Sequence, residues 1–186
     1  MTTATGHEWL LILPKIPSEP SRHRVAVWRE LRRAGAVPAA SGAWTMPDVP
    51  AFTDRLAAIR ELTERGAGSL SVFRAGGYGA DDTEGLREAF AAARRDEWVE
   101  FVADCGKFDA EIEREIAKEK FTFGELEEEE QSLDRLRRWH RDLQKRDALA
   151  LPEAVEATGH LERCTEHLAR YAELVFAANL PPEPSA

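Results

Sequence analysis

Apolar and polar positions follow two different periodicities over residues 1–80. The continuous apolar run Trp9–Leu13 predicts a β-strand that is buried on both faces. Ser21 then occupies the position expected of a helix N-cap, and the helix is predicted to end at Gly35. The apolar arc of this helix consists of Val25, Val27, Trp28 and Leu31. These patterns predict a buried strand followed by an amphipathic helix.

A hairpin, a second helix and a last strand complete the first half. Ser41-Gly42 lies between two short apolar segments and predicts a tight turn between two strands. Pro38 restricts the first of these strands to a sheet edge or a bulge, because proline has no N–H to donate. A helix that ends at Gly66 is predicted from four apolar positions, Phe52, Leu56, Ile59 and Leu62. Residues 69–75 then read as a closing strand.

The resulting order is β-α-β-β-α-β, the order of the ferredoxin-like split βαβ unit. We therefore predict a ferredoxin-like domain at residues 9–78, in an α+β protein. The segment RAGGYGADD (74–82) is predicted to be a connector. Its glycines do not have the spacing of a phosphate-binding loop, and no lysine follows them.

Residues 82–180 show helical periodicity throughout and predict a helical hairpin or bundle. Thr122 and Glu125 have the spacing of a capping box, with Phe121 and Leu126 as its hydrophobic staple. The seam positions predicted to be buried are Trp98, Phe101, Cys105, Phe108, Ile112, Leu126, Leu133, Leu136, His140, Leu143, Ala157, Leu161, Cys164, Leu168, Tyr171, Val175 and Ala178.

Composition and charge indicate a globular protein with two differently charged halves. Hydrophobic residues make up 43% of the chain and charged residues 32%. The net charge of −9 divides into +3 for residues 1–80 and −12 for residues 81–186. No apolar run approaches the roughly 20 residues of a membrane span, and the opening MTTATGHE lacks the pattern of a secretory signal. We therefore predict a cytoplasmic location and no membrane partner. The charge argues against nucleic-acid binding by the whole surface and leaves binding by a basic patch on the first half open.

The first predicted helix carries the candidate site for DNA or another anion, which consists of Ser21, Arg22, Arg24, Arg29 and Arg33. On a helical wheel, Arg22, Arg29 and Arg33 fall within about 40° of one another. This arc lies opposite Val27 and Leu31. Free N–H groups and the helix dipole also favour an anion at the N-terminus. Two interpretations stay open: a solvated face, or contact with a nucleic-acid phosphate, a tetrahedral oxyanion or the carboxylates of the acidic half.

The remaining reactive residues are interpreted as structural. His160 and His167 flank Cys164 at helical spacing, but the cysteine falls on the apolar seam and is read as a buried core residue. Cys105 is interpreted in the same way, and the acidic run 127–130 as a solvated face. No serine-hydrolase or metalloprotease motif is present. We predict a protein that is not an enzyme and that holds no metal and no cofactor.

Three segments carry a family resemblance: WLLILPKIPSEPSRHRVAVWRELRRAGAV, AWTMPD and FDAEIEREIAKEKFTFGELEEEEQSLDRLRRWHRDLQKRD. Together they resemble the N-terminal region of the ChrB family of chromate resistance proteins. The first half is also distantly similar to the ferredoxin-type domains of PaaX-like repressors and of CRISPR-associated Cas2 proteins.

The resemblance implies a role in chromate resistance, often as a chromate-responsive regulator of transcription encoded near a chromate efflux transporter. It implies DNA as a partner of the arginine-rich helix, and chromate or another oxyanion as a candidate ligand. Longer family members continue into a second, C-terminal domain, which leaves open whether this chain by itself senses chromate.

We therefore expect a chromate-resistance regulatory protein that binds DNA through its basic first helix. The alternative is a non-enzymatic interaction module that forms a homodimer through its C-terminal helices. A Cas2-like nuclease is less favoured, because such chemistry needs metal-binding acids near strand ends. The first predicted strand ends in Pro14-Lys15 instead.

Overall fold

The computed structural model describes residues 8–180 and has an α+β architecture, as the sequence predicts. The strands are Trp9–Lys15 (β1), Val37–Ala40 (β2), Ala43–Pro47 (β3) and Ser69–Ala75 (β4). The helices are Ser21–Arg33 (α1), Pro50–Thr53 (α2), Leu56–Arg65 (α3), Ala80–Ala117 (α4), Phe123–Arg146 (α5) and Pro152–Asn179 (α6). The chain divides into two compact units, one ending at Arg94 and the other beginning at Arg95, within the bounds of α4.

The strands of the first unit form one antiparallel sheet in the order β2-β3-β1-β4. In the central strand β1, Leu10 and Ile12 are buried, whereas Leu11 and Leu13 are only half-buried. Alternate residues of a strand face opposite sides of a sheet. The prediction that β1 is buried on both faces is therefore only partly correct, because one face is covered less completely than the other.

Helix α1 ends where the sequence predicts. The N–H of Gly35 donates to the carbonyl of Arg32, and the N–H of Ala36 donates to the carbonyl of Leu31, both at 3.0 Å. This pattern is a Schellman motif, in which Gly35 adopts a positive φ of 88° that glycine tolerates without a Cβ clash.

The start and the apolar arc of α1 differ from the prediction. The N-cap residue is Pro20, and no side chain caps the helix. The assignment of Ser21 as N-cap is wrong, because Ser21 is already the first helical residue. Of the predicted arc, Val25 and Trp28 are 41% and 47% exposed, so the arc that reaches the core is narrower than the sequence suggests.

The predicted hairpin joins β2 to β3. Ala40 pairs with Ala43, and Gly42 in the turn has a positive φ of 73°. Strand β2 lies at the edge of the sheet, and its register shifts between Pro38 and Ala40. Both expectations for Pro38 are therefore confirmed, since an edge and an irregular register each accommodate a residue that has no N–H.

The predicted second helix is two helices, α2 and α3, with Asp54 and Arg55 between them. Phe52 in α2 and Ile59 in α3 are buried, as predicted. Thr63 is also buried, and its hydroxyl donates to the carbonyl of Ile59 at 2.7 Å.

The second unit is helical and has one hydrophobic cluster. Its buried members are Trp98, Phe101, Cys105, Phe108, Ile112, Leu126, Leu133, Leu136, Leu143, Ala157, Cys164, Leu168, Tyr171 and Val175. Leu161 packs against this cluster, whereas Ala178 near the end of α6 is exposed. The seam prediction is thus confirmed for all but that last position. None of the helices described within residues 8–180 is long and apolar enough to cross a membrane.

Helix α5 begins at the predicted cap. The hydroxyl oxygen of Thr122 accepts a hydrogen bond from the N–H of Glu125 at 3.3 Å, which confirms one half of the capping box. The carboxylate of Glu125 pairs with Lys120 at 2.6 Å. Phe121 packs against the cluster that contains Leu126, as expected of a hydrophobic staple.

His140 and Cys164 are buried in the second unit, and each makes a polar contact there. Nε2 of His140 is 3.0 Å from the hydroxyl oxygen of Thr158, and burial lowers the pKa of His140. The thiol of Cys164 donates to the carbonyl oxygen of Cys105 at 3.6 Å. The contact with Cys105, together with burial, raises the pKa of Cys164, so this thiol is held protonated in the core.

Candidate anion-binding site on helix α1

All five residues of the predicted site lie on α1 and are exposed: Ser21, Arg22, Arg24, Arg29 and Arg33. The side of the helix opposite Arg22, Arg29 and Arg33 is fixed in the core by Val27 and Leu31, each 1% exposed. The predicted separation of a basic side from an apolar side is therefore present.

One of the site residues, Arg33, forms an ion pair with Glu30, an acid whose role was not predicted from the sequence. Glu30 is 8% exposed and accepts a hydrogen bond from Arg33 at 2.8 Å. Its other carboxylate oxygen accepts from Arg55 at 3.1 Å. A buried carboxylate needs such partners to offset its lost hydration. Arg33 is thus partly neutralised, and the i,i+3 spacing of Glu30 and Arg33 was the available signal.

The other arginines of α1 have no carboxylate partner among residues 8–180. Arg22 lies with Nε 3.5 Å from Nε2 of His23. Arg32 stacks on the exposed ring of Trp28, with its guanidinium carbon 5.3 Å from the ring centroid. Arg24 and Arg29 make no ion pair within the part of the chain that the structure describes. Four positive charges on one helix are therefore free of local compensation.

Arg24 borders a shallow groove beside α1. The groove has a volume of about 220 Å³ and is lined by Pro14, Ile16, Arg24, Val27, Trp28, Leu31 and Trp44. Arg24, which the helical wheel placed near the apolar arc, thus lies at the rim of an apolar surface. The exposure of Trp28 at this rim was not predicted, because periodicity alone does not tell which part of an apolar arc the core covers.

The N-terminal turn of α1 adds to the positive potential of this surface. Its first turn contains no acidic residue, and no side chain within the described part of the chain caps its backbone N–H groups. Free N–H groups and the positive end of the helix dipole attract anions. Ser21 and Arg22 lie at this end, and both are exposed.

The structure does not bring together the three side chains of the alternative metal site considered from the sequence, His160, Cys164 and His167. Cys164 is fully buried, whereas His160 contacts Arg163 at 2.6 Å and His167 contacts Asp109 at 2.9 Å. No group of three or more histidine, cysteine or acidic side chains suited to hold a metal occurs among the described residues.

Asp48, which directly follows β3, is engaged in a salt bridge. Asp48 Oδ2 accepts a hydrogen bond from Arg74 at 2.6 Å. This hydrogen bond and the charge of Asp48 raise the pKa of Arg74. The pair ties the end of β3 to β4.

Comparison with known proteins places most of the chain in one family. The family model described as "Protein ChrB, N-terminal" matches residues 24–182. The matched range includes Arg24, Arg29 and Arg33 and begins just after Ser21 and Arg22. No curated protein and no solved structure gives a significant match to the chain.

Proposed function

The chain belongs to the family of the N-terminal region of protein ChrB and is related to chromate resistance; from this premise we propose that it is a cytoplasmic regulatory protein that binds DNA through the arginines of α1. We assign it no enzymatic role. The observation that carries the proposal is the set of uncompensated positive charges on α1.

Helix α1 differs from the other helices in its balance of charges, since it carries five arginines and one acid. Several arginines on the other helices pair with an acid three or four positions away, as in Arg65–Glu61, Arg87–Glu84, Arg114–Glu111 and Arg137–Asp134. Such pairs are the usual arrangement of a solvated helix face. Among the described residues, α1 has one such pair within the helix, Glu30–Arg33. Arg135, Arg138 and Arg141 of α5 form no ion pair in the described part of the chain, but they lie on a helix that is rich in acids. By comparison with α1, α5 carries seven acids against six lysines and arginines. A helix with the excess of arginine found in α1, in a chain of net charge −9, is better suited to an external anion.

The fold of the first unit supports the proposal that α1 binds DNA. We assign it to the ferredoxin-like fold, because its elements follow the order β-α-β-β-α-β and its strands the order β2-β3-β1-β4. The short helix α2 is an addition to that pattern. Val27 and Leu31 bury one side of α1, so that Arg22 and Arg29 on the other side can contact a DNA backbone without disturbing the core.

The proposal is tested by titrating labelled duplex DNA from upstream of the encoding gene and following fluorescence anisotropy at several salt concentrations. We expect binding that weakens with salt, because each phosphate contact releases counterions. The variant with Arg22, Arg29 and Arg33 all changed to alanine should lose most of the affinity.

A matched control is the variant with Arg87, Arg114 and Arg137 changed to alanine. It removes the same number of positive charges from exposed helical positions and should bind nearly as tightly as the wild-type protein. Absence of wild-type binding at low salt, or equal losses in the two triple variants, would show that α1 presents a solvated face.

Chromate is the proposed effector. A doubly charged tetrahedral oxyanion can accept hydrogen bonds from the same guanidinium groups that contact a phosphate. Chromate added to the complex should release DNA at a lower concentration than sulfate at equal ionic strength. Equal potency of the two anions would indicate general screening and would remove chromate as a ligand of this surface.

A second candidate, an interaction module without a nucleic-acid role, is favoured by one observation on the helical unit. The rings of Phe123 and Phe176 pack edge to face with centroids 5.5 Å apart, yet the residues are 50% and 44% exposed. Leu180 in the same unit is 63% exposed. If the DNA titration fails, loss of self-association in Phe176→Glu would support this candidate.

A further inference from the structure

The two edges of the sheet are differently protected. Strand β2 is four residues long, contains Pro38 and has a shifted register, which are features that discourage pairing with another chain. Strand β4 forms the opposite edge, with seven residues and no proline. It pairs with β1 over its full length, from Ser69 to Ala75. Its outer side is therefore a long and regular strand edge.

The register shows which backbone groups of β4 point outward. Trp9 of β1 lies opposite Pro47 of β3, and proline has no N–H for a hydrogen-bonded pair. Leu10 and Ile12 therefore make the hydrogen bonds to β3, and the residues between them face β4, since antiparallel pairs alternate. On β4 the backbone groups of Phe73 point inward to β1, and those of its neighbours point outward.

The outward backbone groups are the N–H and carbonyl groups of Leu70, Val72 and Arg74. The carbonyl of Leu70 accepts a hydrogen bond from Arg60 at 3.0 Å. The outward N–H and carbonyl groups of Val72 and Arg74 have no partner among residues 8–180. Unpaired groups in a regular strand form a template for another strand.

The side chains along this edge also suit a strand partner. Phe73 is 53% exposed, although its ring is large and apolar. The charge of Arg74, which would repel a second copy, is compensated by Asp48 at 2.6 Å and by Glu8 at 3.6 Å.

We propose that β4 pairs antiparallel with β4 of a second copy of this chain, around a twofold axis at Phe73. In this register Val72 lies opposite the partner's Arg74, and Phe73 lies opposite the partner's Phe73. All four outward groups of Val72 and Arg74 then form backbone hydrogen bonds across the interface, while the cap on Leu70 stays in place. The arrangement is self-complementary, as a twofold interface requires.

The contact at the axis explains the exposed phenylalanine. Because the backbone groups of Phe73 point towards β1, the two rings meet in a pair without backbone hydrogen bonds between them. Such pairs bring side chains closest together. The two sheets join into one sheet of eight strands, with the outer β2 edges closed to further addition by Pro38. A dimer, and not a fibre, is therefore expected.

Sedimentation velocity over a dilution series tests the interface. At high concentration, the sedimentation coefficient of the wild-type protein should correspond to twice the 20.8 kDa mass of the chain. Phe73→Glu should shift it to the monomer, because two carboxylates would face each other at the axis. Phe176→Glu on the helical unit is the matched control and should stay dimeric. A monomeric wild-type protein, or dissociation by Phe176→Glu alone, would overturn the proposal.

Cross-linking tests the register without relying on a disruptive variant. Phe73→Cys should form an intermolecular disulfide under mild oxidation, since the two positions face each other, whereas Cys105 and Cys164 are fully buried. Ser71→Cys, on the same face of β4, should not cross-link, because Ser71 lies opposite the partner's Ala75. Cross-linking of Ser71→Cys, or of neither variant, would contradict the twofold axis at Phe73.

Discussion

Oε1 of Glu30 in α1 accepts a hydrogen bond from Nη1 of Arg55 at 3.1 Å, across 25 positions of sequence. Arg55 immediately precedes α3, so this ion pair ties the start of α3 to the last turn of α1. Glu30 also holds Arg33 at 2.8 Å. Glu30, the single acid within α1, thus serves the packing of the helix. Arg22, Arg24, Arg29 and Arg32 have no carboxylate partner among the described residues.

Glu30→Ala should lower the free energy of unfolding by about 2 kcal/mol, because it removes two charge-assisted hydrogen bonds to a nearly buried carboxylate. Glu61→Ala is the matched control, since Glu61 pairs with Arg65 on an exposed helix face. It should cost less than about 1 kcal/mol. Urea unfolding followed by circular dichroism measures both values. Equal costs would indicate that Glu30 contributes no more than a surface ion pair.

Thr122→Ala should destabilise the protein by about 1 kcal/mol, because it leaves the N–H of Glu125 without its cap. Thr122→Ser keeps a hydroxyl in the same place and should retain most of the stability. Thermal melts of the three proteins in one buffer provide the comparison. An unchanged midpoint in the alanine variant would mean that the cap adds nothing to α5.

The buried His140 should make the second unit sensitive to mild acid. Its folded-state pKa lies below the ordinary value of 6.5, because burial disfavours the charged ring. The unfolded chain therefore binds the proton first, and the free energy of unfolding falls as the pH drops from about 6.5 towards the folded-state pKa. His140→Gln should unfold with a smaller pH dependence over this interval in urea titrations. Identical pH profiles for the two proteins would exclude this role for His140.

Arg29→Ala should weaken DNA binding by a similar factor for all sequences, because a phosphate contact carries no base information. It should also reduce the slope of log affinity against log salt by about 0.9 per protomer. Arg137→Ala, in which the exposed arginine has Asp134 as its partner at 3.2 Å, is the single-residue control and should leave the slope unchanged. If Arg29→Ala also leaves the slope unchanged, Arg29 does not contact a DNA phosphate.

Local sequence determined most of the elements. Gly35 ends α1 and Gly42 turns the hairpin because each position requires a positive φ that glycine adopts at little cost. Thr122 begins α5 because its hydroxyl reaches a backbone N–H three residues away. The seams of the helical unit could also be predicted, since helical periodicity records which side of each helix is buried. These signals depend on neighbours within one or two turns.

The tertiary structure decided the features that depend on distant partners. Glu30 and Arg55 are far apart in sequence, so neither residue by itself indicates that the Glu30 carboxylate is buried and forms an ion pair with Arg55. Trp28 has the spacing of a core residue, yet it is exposed because the core covers only the side of the apolar arc that carries Val27 and Leu31. The open edge of β4 follows from the strand order β2-β3-β1-β4. Periodicity identifies a strand, but only long-range pairing determines which strands have neighbours on both sides.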